Sequence, residues 1–210
     1  MGNRNISQSA NIEIKLERDI RTPDSFGSDY LSEFGRIITT YACNHNRSCL
    51  EWGMGNTTRY FLENRITLKL NNLYSIDHTE NYFNVLVPNL PKWENFYPFC
   101  IDLIGTRKSD RDDGYNYATY PLTFSKKFDV IYIDGRRRME CAFLSLSLCH
   151  SETIVILHDY RRLRYQNIKL LYDIIEDGNQ FRVMKLKPLV NDLLNLESTN
   201  SNIEMSKFNL

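Results

Sequence analysis

No apolar run among the 210 residues approaches the ~20 that a membrane-spanning helix requires. The first twenty residues, rich in Asn, Ser and charges, lack the apolar centre of a signal peptide. Net charge is also missing: 26 basic residues balance 26 acidic ones, so the chain as a whole makes no electrostatic case for nucleic acid or an anionic membrane. The five cysteines, Cys43, Cys49, Cys100, Cys141 and Cys149, are odd in number and show no CxxC spacing. That argues against a disulfide framework or a zinc site and for buried free thiols in a reducing compartment, the cytoplasm. A complete dinucleotide fingerprint is absent as well, because Thr58 stands where the third glycine of GxGxxG would follow Gly53 and Gly55.

What remains is a chain of one-domain length whose 42% hydrophobic content suits a folded, soluble core. Residues 1–27 read as a polar lead-in, 28–196 as the folded domain, and the Ser/Asn-rich 197–210 as a mobile tail. Over 28–41, Tyr30, Leu31, Phe34, Ile37, Ile38 and Tyr41 recur at three- and four-residue spacing, which predicts a helix with one apolar face, packed on a sheet or over its ligand-binding edge. Apolar runs predict strands at 48–52, 72–76, 97–103, 128–133, 153–157 and 181–186. Helices are expected at 57–64, 80–87, 138–149 and 166–176, and a further strand or short helix at 189–196. The segment 105–127, charged and aromatic, has neither period and reads as a functional loop or an insertion. Alternating strands and helices predict a doubly wound, Rossmann-like α/β domain with a mainly parallel sheet.

The chemistry concentrates at strand ends. Glu51, Asp77, Asp134 and Asp159 each follow an apolar run, so the predicted topology brings four carboxylates to the edge where open α/β sheets bind ligands. Gly53 and Gly55 open a turn into a helix, and an acid after the second strand is placed to hold ribose hydroxyls. Glu51 would repel a pyrophosphate but suits a cationic ligand. Thr57 and Thr58 can cap the helix or donate to a ligand carboxylate.

His158 is a candidate base, and Asp134 with Asp159 can either accept hydrogen bonds or hold an oxygen-ligated divalent ion, Mg or Mn. Arg136, Arg137 and Arg138, with Arg161, Arg162 and Arg164, either bind an anionic acceptor or form a solvated surface paired with Glu140 or Asp173. Tyr115, Tyr117 and Tyr120 either stack on a sugar or base or pack their loop down.

The ExGxG pattern of Glu51, Gly53 and Gly55 resembles the first motif of class I S-adenosylmethionine-dependent methyltransferases. More narrowly, LEWGMGNTTRYF, YSIDHTENYFNVL, FDVIYIDGRRRMECAF and IVILHDYRRLRY resemble a methyltransferase-like group with EWGxGxST, SIDH, IDGRxRxxCA and HDYxR patterns. The resemblance spans residues 49–165. It departs at Asn56, Thr57 and Thr58, where that group more often has a Gly-Ser-Thr run.

The resemblance implies S-adenosylmethionine held by Glu51, Gly53, Gly55, Thr57, Thr58, Asp77, His78 and Asp134. Asp134, His158 and Asp159 would face the transferred methyl, with Arg136, Arg137, Tyr160 and Arg161 at the acceptor. The expected reaction is O-methylation of a small-molecule or carbohydrate acceptor, not of nucleic acid. A cofactor-cleaving enzyme of the same fold and a binding module without catalysis are the alternatives.

Overall fold

The computed structural model describes residues 28–42, 46–103, 115–190 and 192. Within them lie seven strands: β1 (Arg47–Trp52), β2 (Leu70–Asp77), β3 (Phe96–Cys100), β4 (Phe128–Ile133), β5 (Cys149–His158), β6 (Tyr172–Asp177) and β7 (Phe181–Leu186). The helices are α1 (Ser28–Tyr41), α2 (Asn56–Glu63), α3 (Glu80–Leu86), α4 (Tyr115–Thr119) and α5 (Arg138–Leu144). The strands form one sheet in the order β3-β2-β1-β4-β5-β7-β6. β1 to β5 are parallel, and β7 runs antiparallel to both β5 and β6. The strand order reverses between β1 and β4, the switch point of a doubly wound sheet.

The continuous apolar β4 has this form because both its faces are covered. Ile131 and Ile133 join Leu50, Trp52, Val155 and Leu157 on one side. Val130 and Tyr132 join Cys49, Ile154 and Ile156 on the other, where Phe34, Ile37 and Ile38 of α1 pack. The expected amphipathic helix thus covers the sheet, and its first turn also reaches the ligand edge.

Several expectations change. Residues 166–176 are not a helix: a 3-10 segment, Leu163–Leu170, leads into edge strand β6. Ile168, Leu171, Tyr172 and Ile175 have helical spacing, but β7 is buried and requires a second pairing partner, which β6 supplies. The helix from Arg138 ends at Leu144, and Cys149 already belongs to β5. β3 stops at Cys100 rather than residue 103.

The described part of the aromatic segment folds as α4 and a 3-10 turn, Tyr120–Phe124. Tyr117 is fully buried there, and Trp52 Nε1 donates to its carbonyl at 3.2 Å, so this ring is core rather than a stacking platform. Cys49, Cys100, Cys141 and Cys149 are free thiols, while Cys43, the lead-in, the tail and most of 189–196 lie outside the described residues. No described helix is long and apolar enough to cross a membrane.

Candidate active site

At the switch point the turns after β1 and β4 are pressed together. The N–H groups of Asp134 and Gly135 both donate to Trp52 O, at 2.9 and 2.7 Å. Gly53 has φ of +93°, and a Cβ there would stand 2.5 Å from Gly135 N. Gly53 is therefore demanded by the protein's own packing. Gly55 differs: its backbone is extended, and a Cβ would meet only the Tyr82 hydroxyl, at 3.6 Å. Of the two glycines, this one leaves room for a ligand.

Glu51 is fully buried beneath the turn. Register places it opposite Ser75 of β2 and Tyr132 of β4. It accepts from Thr57 Oγ1 at 2.6 Å, Thr58 Oγ1 at 2.6 Å and Ser75 Oγ at 2.7 Å. Burial raises its pKa to about 7, partly offset by these hydroxyls. The hydroxyls of Thr57 and Thr58 are committed inward, and Thr58 Oγ1 also accepts from Gly55 N at 2.8 Å, capping α2. Glu51, Thr57 and Thr58 thus build the turn from within. Direct contact of their side chains with a ligand, as expected from the motif, does not fit this burial.

Asp77, nearly buried, accepts from Met54 N at Oδ2 (3.1 Å) and from His78 N and Thr79 N at Oδ1 (2.7 and 2.8 Å). Three of a carboxylate's roughly four acceptor positions are filled, leaving one on Oδ2. His78, Thr79, Asp102, Leu103 and Arg136 line an adjoining cavity of about 630 Å³. Burial lowers the His78 pKa, so its ring is neutral, and Nδ1 is buried with no hydrogen-bond partner among the described residues. Tyr82 faces the same turn. Its pKa is pushed up to about 12 by burial first and then by the charges of Asp77 and Glu51, so its hydroxyl stays a donor.

The ends of β4 and β5 form the second half. Asp134 Oδ1 accepts from His158 Nδ1 at 2.6 Å and from Arg138 Nη2 at 2.8 Å, and Oδ2 accepts from Tyr132 Oη at 3.1 Å. Tyr132 Oη lies 2.7 Å from Tyr30 Oη, and burial pushes both hydroxyls well up in pKa. Arg138 also donates to His158 O (2.6 Å) and Gly135 O (3.0 Å), and its Nη1 is 3.5 Å from Asp159 Oδ2. Asp159 adopts φ of +57° and pairs with Arg162 at 2.5 Å.

A guanidinium therefore bridges Asp134 and Asp159, which favours the hydrogen-bonding alternative for these two acids over a divalent ion. Among the described residues no three His, Cys, Asp or Glu side chains converge as a metal site. The donors present do not fit Mg or Mn.

The acceptor residues divide. Arg136 and Arg137 face the ligand edge, Arg137 paired with Glu140 at 3.1 Å. Tyr160 is buried, donates to Gly178 O at 2.8 Å and lies under Arg182, while Arg161 reaches the same carbonyl at 3.3 Å. Both serve the β6–β7 turn, contrary to expectation, because the hairpin lies against the start of the loop after β5.

Three participants were not singled out from sequence. Tyr30 and Tyr82 looked like ordinary helix-face aromatics. Arg138 was one of three adjacent arginines, and its four-residue spacing from Asp134 was the only signal.

No protein-family model and no curated protein matches the chain. Solved structures do. A methyltransferase-like protein from Silicibacter pomeroyi superposes with a TM-score of 0.57 at 15% identity, covering 74% of this chain and 85% of that one. The N-methyltransferase NodS from Bradyrhizobium japonicum, in complex with S-adenosylhomocysteine, gives 0.51 at 10% identity over 82% and 96% of the two chains. MycE, a methyltransferase of the mycinamycin biosynthetic pathway in complex with Mg, S-adenosylhomocysteine and mycinamycin VI, gives 0.52 at 9% identity over 89% and 58%. At these identities the likeness is one of architecture: the chain has the Rossmann-like fold found in S-adenosylmethionine-dependent methyltransferases.

Proposed function

We propose that the chain is an S-adenosylmethionine-dependent methyltransferase acting on a hydroxyl of a small polar acceptor such as a sugar. The observation that carries this reading is the juxtaposition of a glycine turn open at Gly55 with a histidine held by Asp134 at the neighbouring strand ends. Two proteins of this architecture have complexes with S-adenosylhomocysteine, which supports the cofactor. The cavity beside Asp77 supports it too, being of a size that holds small molecules and walled by polar residues, among them His78, Thr79 and Asp102.

S-adenosylmethionine would supply an electrophilic methyl on sulfur. Asp77 Oδ2 and the backbone at Gly55 would hold the nucleoside and the amino-acid end, with Tyr82 donating from above the turn. Asp134 accepts the Nδ1 proton of His158, which leaves Nε2 basic. Nε2 would then be placed to take the acceptor's hydroxyl proton, while the sulfonium would supply the methyl and leave as a thioether. Asp134 stabilises the resulting imidazolium. Much of the acceleration comes from holding the acceptor oxygen in line with the methyl.

The test is calorimetric titration with S-adenosylmethionine and S-adenosylhomocysteine, for the wild type and Asp77→Ala, followed by assay of methyl transfer. Binding by the wild type and its loss in the variant supports the reading. No binding by the wild type overturns it.

A further inference from the structure

A second cavity, about 220 Å³, opens beside the site, lined among others by Arg136, Arg137, Arg138, Arg162, Arg164 and Tyr165. Its charges do not balance. Arg137 pairs with Glu140, while Arg138 and Arg162 engage Asp134 and Asp159. Arg136 and Arg164 have no ion-pair partner among the described residues. Five guanidiniums against three carboxylates leave a surplus of two positive charges around one small cavity. Arg164 is also held in place, its guanidinium 4.8 Å from the Tyr165 ring, with that of Arg138 at 5.9 Å.

We propose that this cavity binds a phosphoryl group, the anionic end of the methyl acceptor. A carboxylate is satisfied by one guanidinium fork, as Asp177 is by Arg182 at 2.6 and 2.9 Å elsewhere in this protein. Two spare guanidiniums, one on the turn after β4 and one on the 3-10 segment Leu163–Leu170, match a group with three free oxygens and a charge of about −1.5 to −2 at neutral pH. The small size of the cavity and the balanced charge of the chain favour a small phosphorylated molecule over a nucleic-acid backbone, which calls for an extended basic track. Arg136 lines both cavities, so the phosphoryl group would lie next to the cofactor without occupying its space. The acceptor role rests on the methyltransferase reading; the anion site does not.

The test is calorimetric titration of the full chain with inorganic phosphate and with acetate at matched ionic strength, each with and without saturating S-adenosylhomocysteine. Phosphate is expected to bind in both conditions, with acetate at least about tenfold weaker. Arg136→Gln and Arg164→Gln are each expected to weaken phosphate about tenfold, and Arg164→Gln, away from the larger cavity, to leave S-adenosylhomocysteine affinity and the melting temperature unchanged. Absence of phosphate binding, equal binding of acetate, exclusion by S-adenosylhomocysteine, or unchanged affinity in both variants would each overturn the proposal. Tighter, steeply salt-dependent binding of a 5′-hydroxyl oligoribonucleotide would overturn it in favour of nucleic acid. If phosphate binds but S-adenosylhomocysteine does not, the anion site stands and the methyltransferase reading falls.

Discussion

His158 Nδ1 and Asp134 Oδ1 lie 2.6 Å apart across the ends of two adjacent parallel strands. The carboxylate fixes which nitrogen carries the proton, and the Tyr30 and Phe181 rings, 5.3 and 5.4 Å away, fix the plane of the imidazole. His158→Ala should lower methyl transfer about 10²- to 10⁴-fold, the usual worth of a positioned general base. Cofactor affinity should stay within about threefold, because His158 does not line the cavity beside Asp77. Steady-state kinetics with calorimetry separate the two. A matching loss of cofactor affinity would move His158 out of the catalytic role.

Arg138 supports both carboxylates at once. Its side chain is 12% exposed, and Arg138→Leu removes the guanidinium that bridges Asp134 and Asp159, leaving Asp134 with His158 and Asp159 with Arg162. A loss of about 2 kcal/mol in urea unfolding is expected, below the range for a fully buried pair because Asp134 and Asp159 are 26% and 32% exposed. Added salt should narrow the gap to the wild type by screening the repulsion between the two carboxylates. A gap independent of salt would show that packing, not charge, was lost.

Glu51 makes stability depend on pH. Its pKa is about 7 in the folded chain against an ordinary 4.5, so between these values the folded state holds a proton that the unfolded state has released. The contribution is complete below about pH 4.5 and is lost as pH rises through 7. It amounts to about 3 kcal/mol, from roughly 2.5 units at 1.36 kcal/mol each. Glu51→Gln should flatten the decline in melting temperature between pH 5 and 8. An undiminished slope in the variant would assign the effect elsewhere.

Two neighbouring glycines should fail differently. Gly53→Ala places a methyl against the Gly135 backbone at a positive φ and should destabilise the fold by about 3 kcal/mol or more. Gly55→Ala meets only Tyr82 and should melt within about 1 kcal/mol of the wild type. Its cost should appear in S-adenosylhomocysteine affinity. Equal melting temperatures for the two variants would contradict the packing described at the switch point.

The central parallel strands were legible because Val130–Ile133 and Ile154–Leu157 are apolar runs followed by Asp134 and by His158 and Asp159, a pattern set by burial on both faces. The C-terminal hairpin was not. Ile174 and Ile175 are each more than a third exposed, so β6 carries no alternation to distinguish it from one face of a helix. Its identity comes from pairing with Phe181–Leu186, a tertiary choice.

The strand-end acids were found for the same reason as the strands. Their separate roles were not, since which acid is buried and which faces a ligand depends on partners far along the chain. Ser75 lies 24 residues from Glu51, and Tyr30 lies 102 from Tyr132. The twin glycines looked alike in sequence because the contact that separates them, Gly53 on Gly135, joins two turns more than eighty residues apart.

The hairpin also sets an order of assembly. β7 enters the sheet between β5 and β6, bringing Phe181 against His158 and the Gln180 carbonyl to the amide of Asp159. On the ribosome, every acid at the ligand edge leaves the exit tunnel before the segment that steadies the two β5-end residues. Because Gly53 packs on Gly135 and Glu51 lies opposite Tyr132, the glycine turn and its buried glutamate reach their final form only once β4 has joined β1, and the imidazole is oriented only once β7 has joined β5.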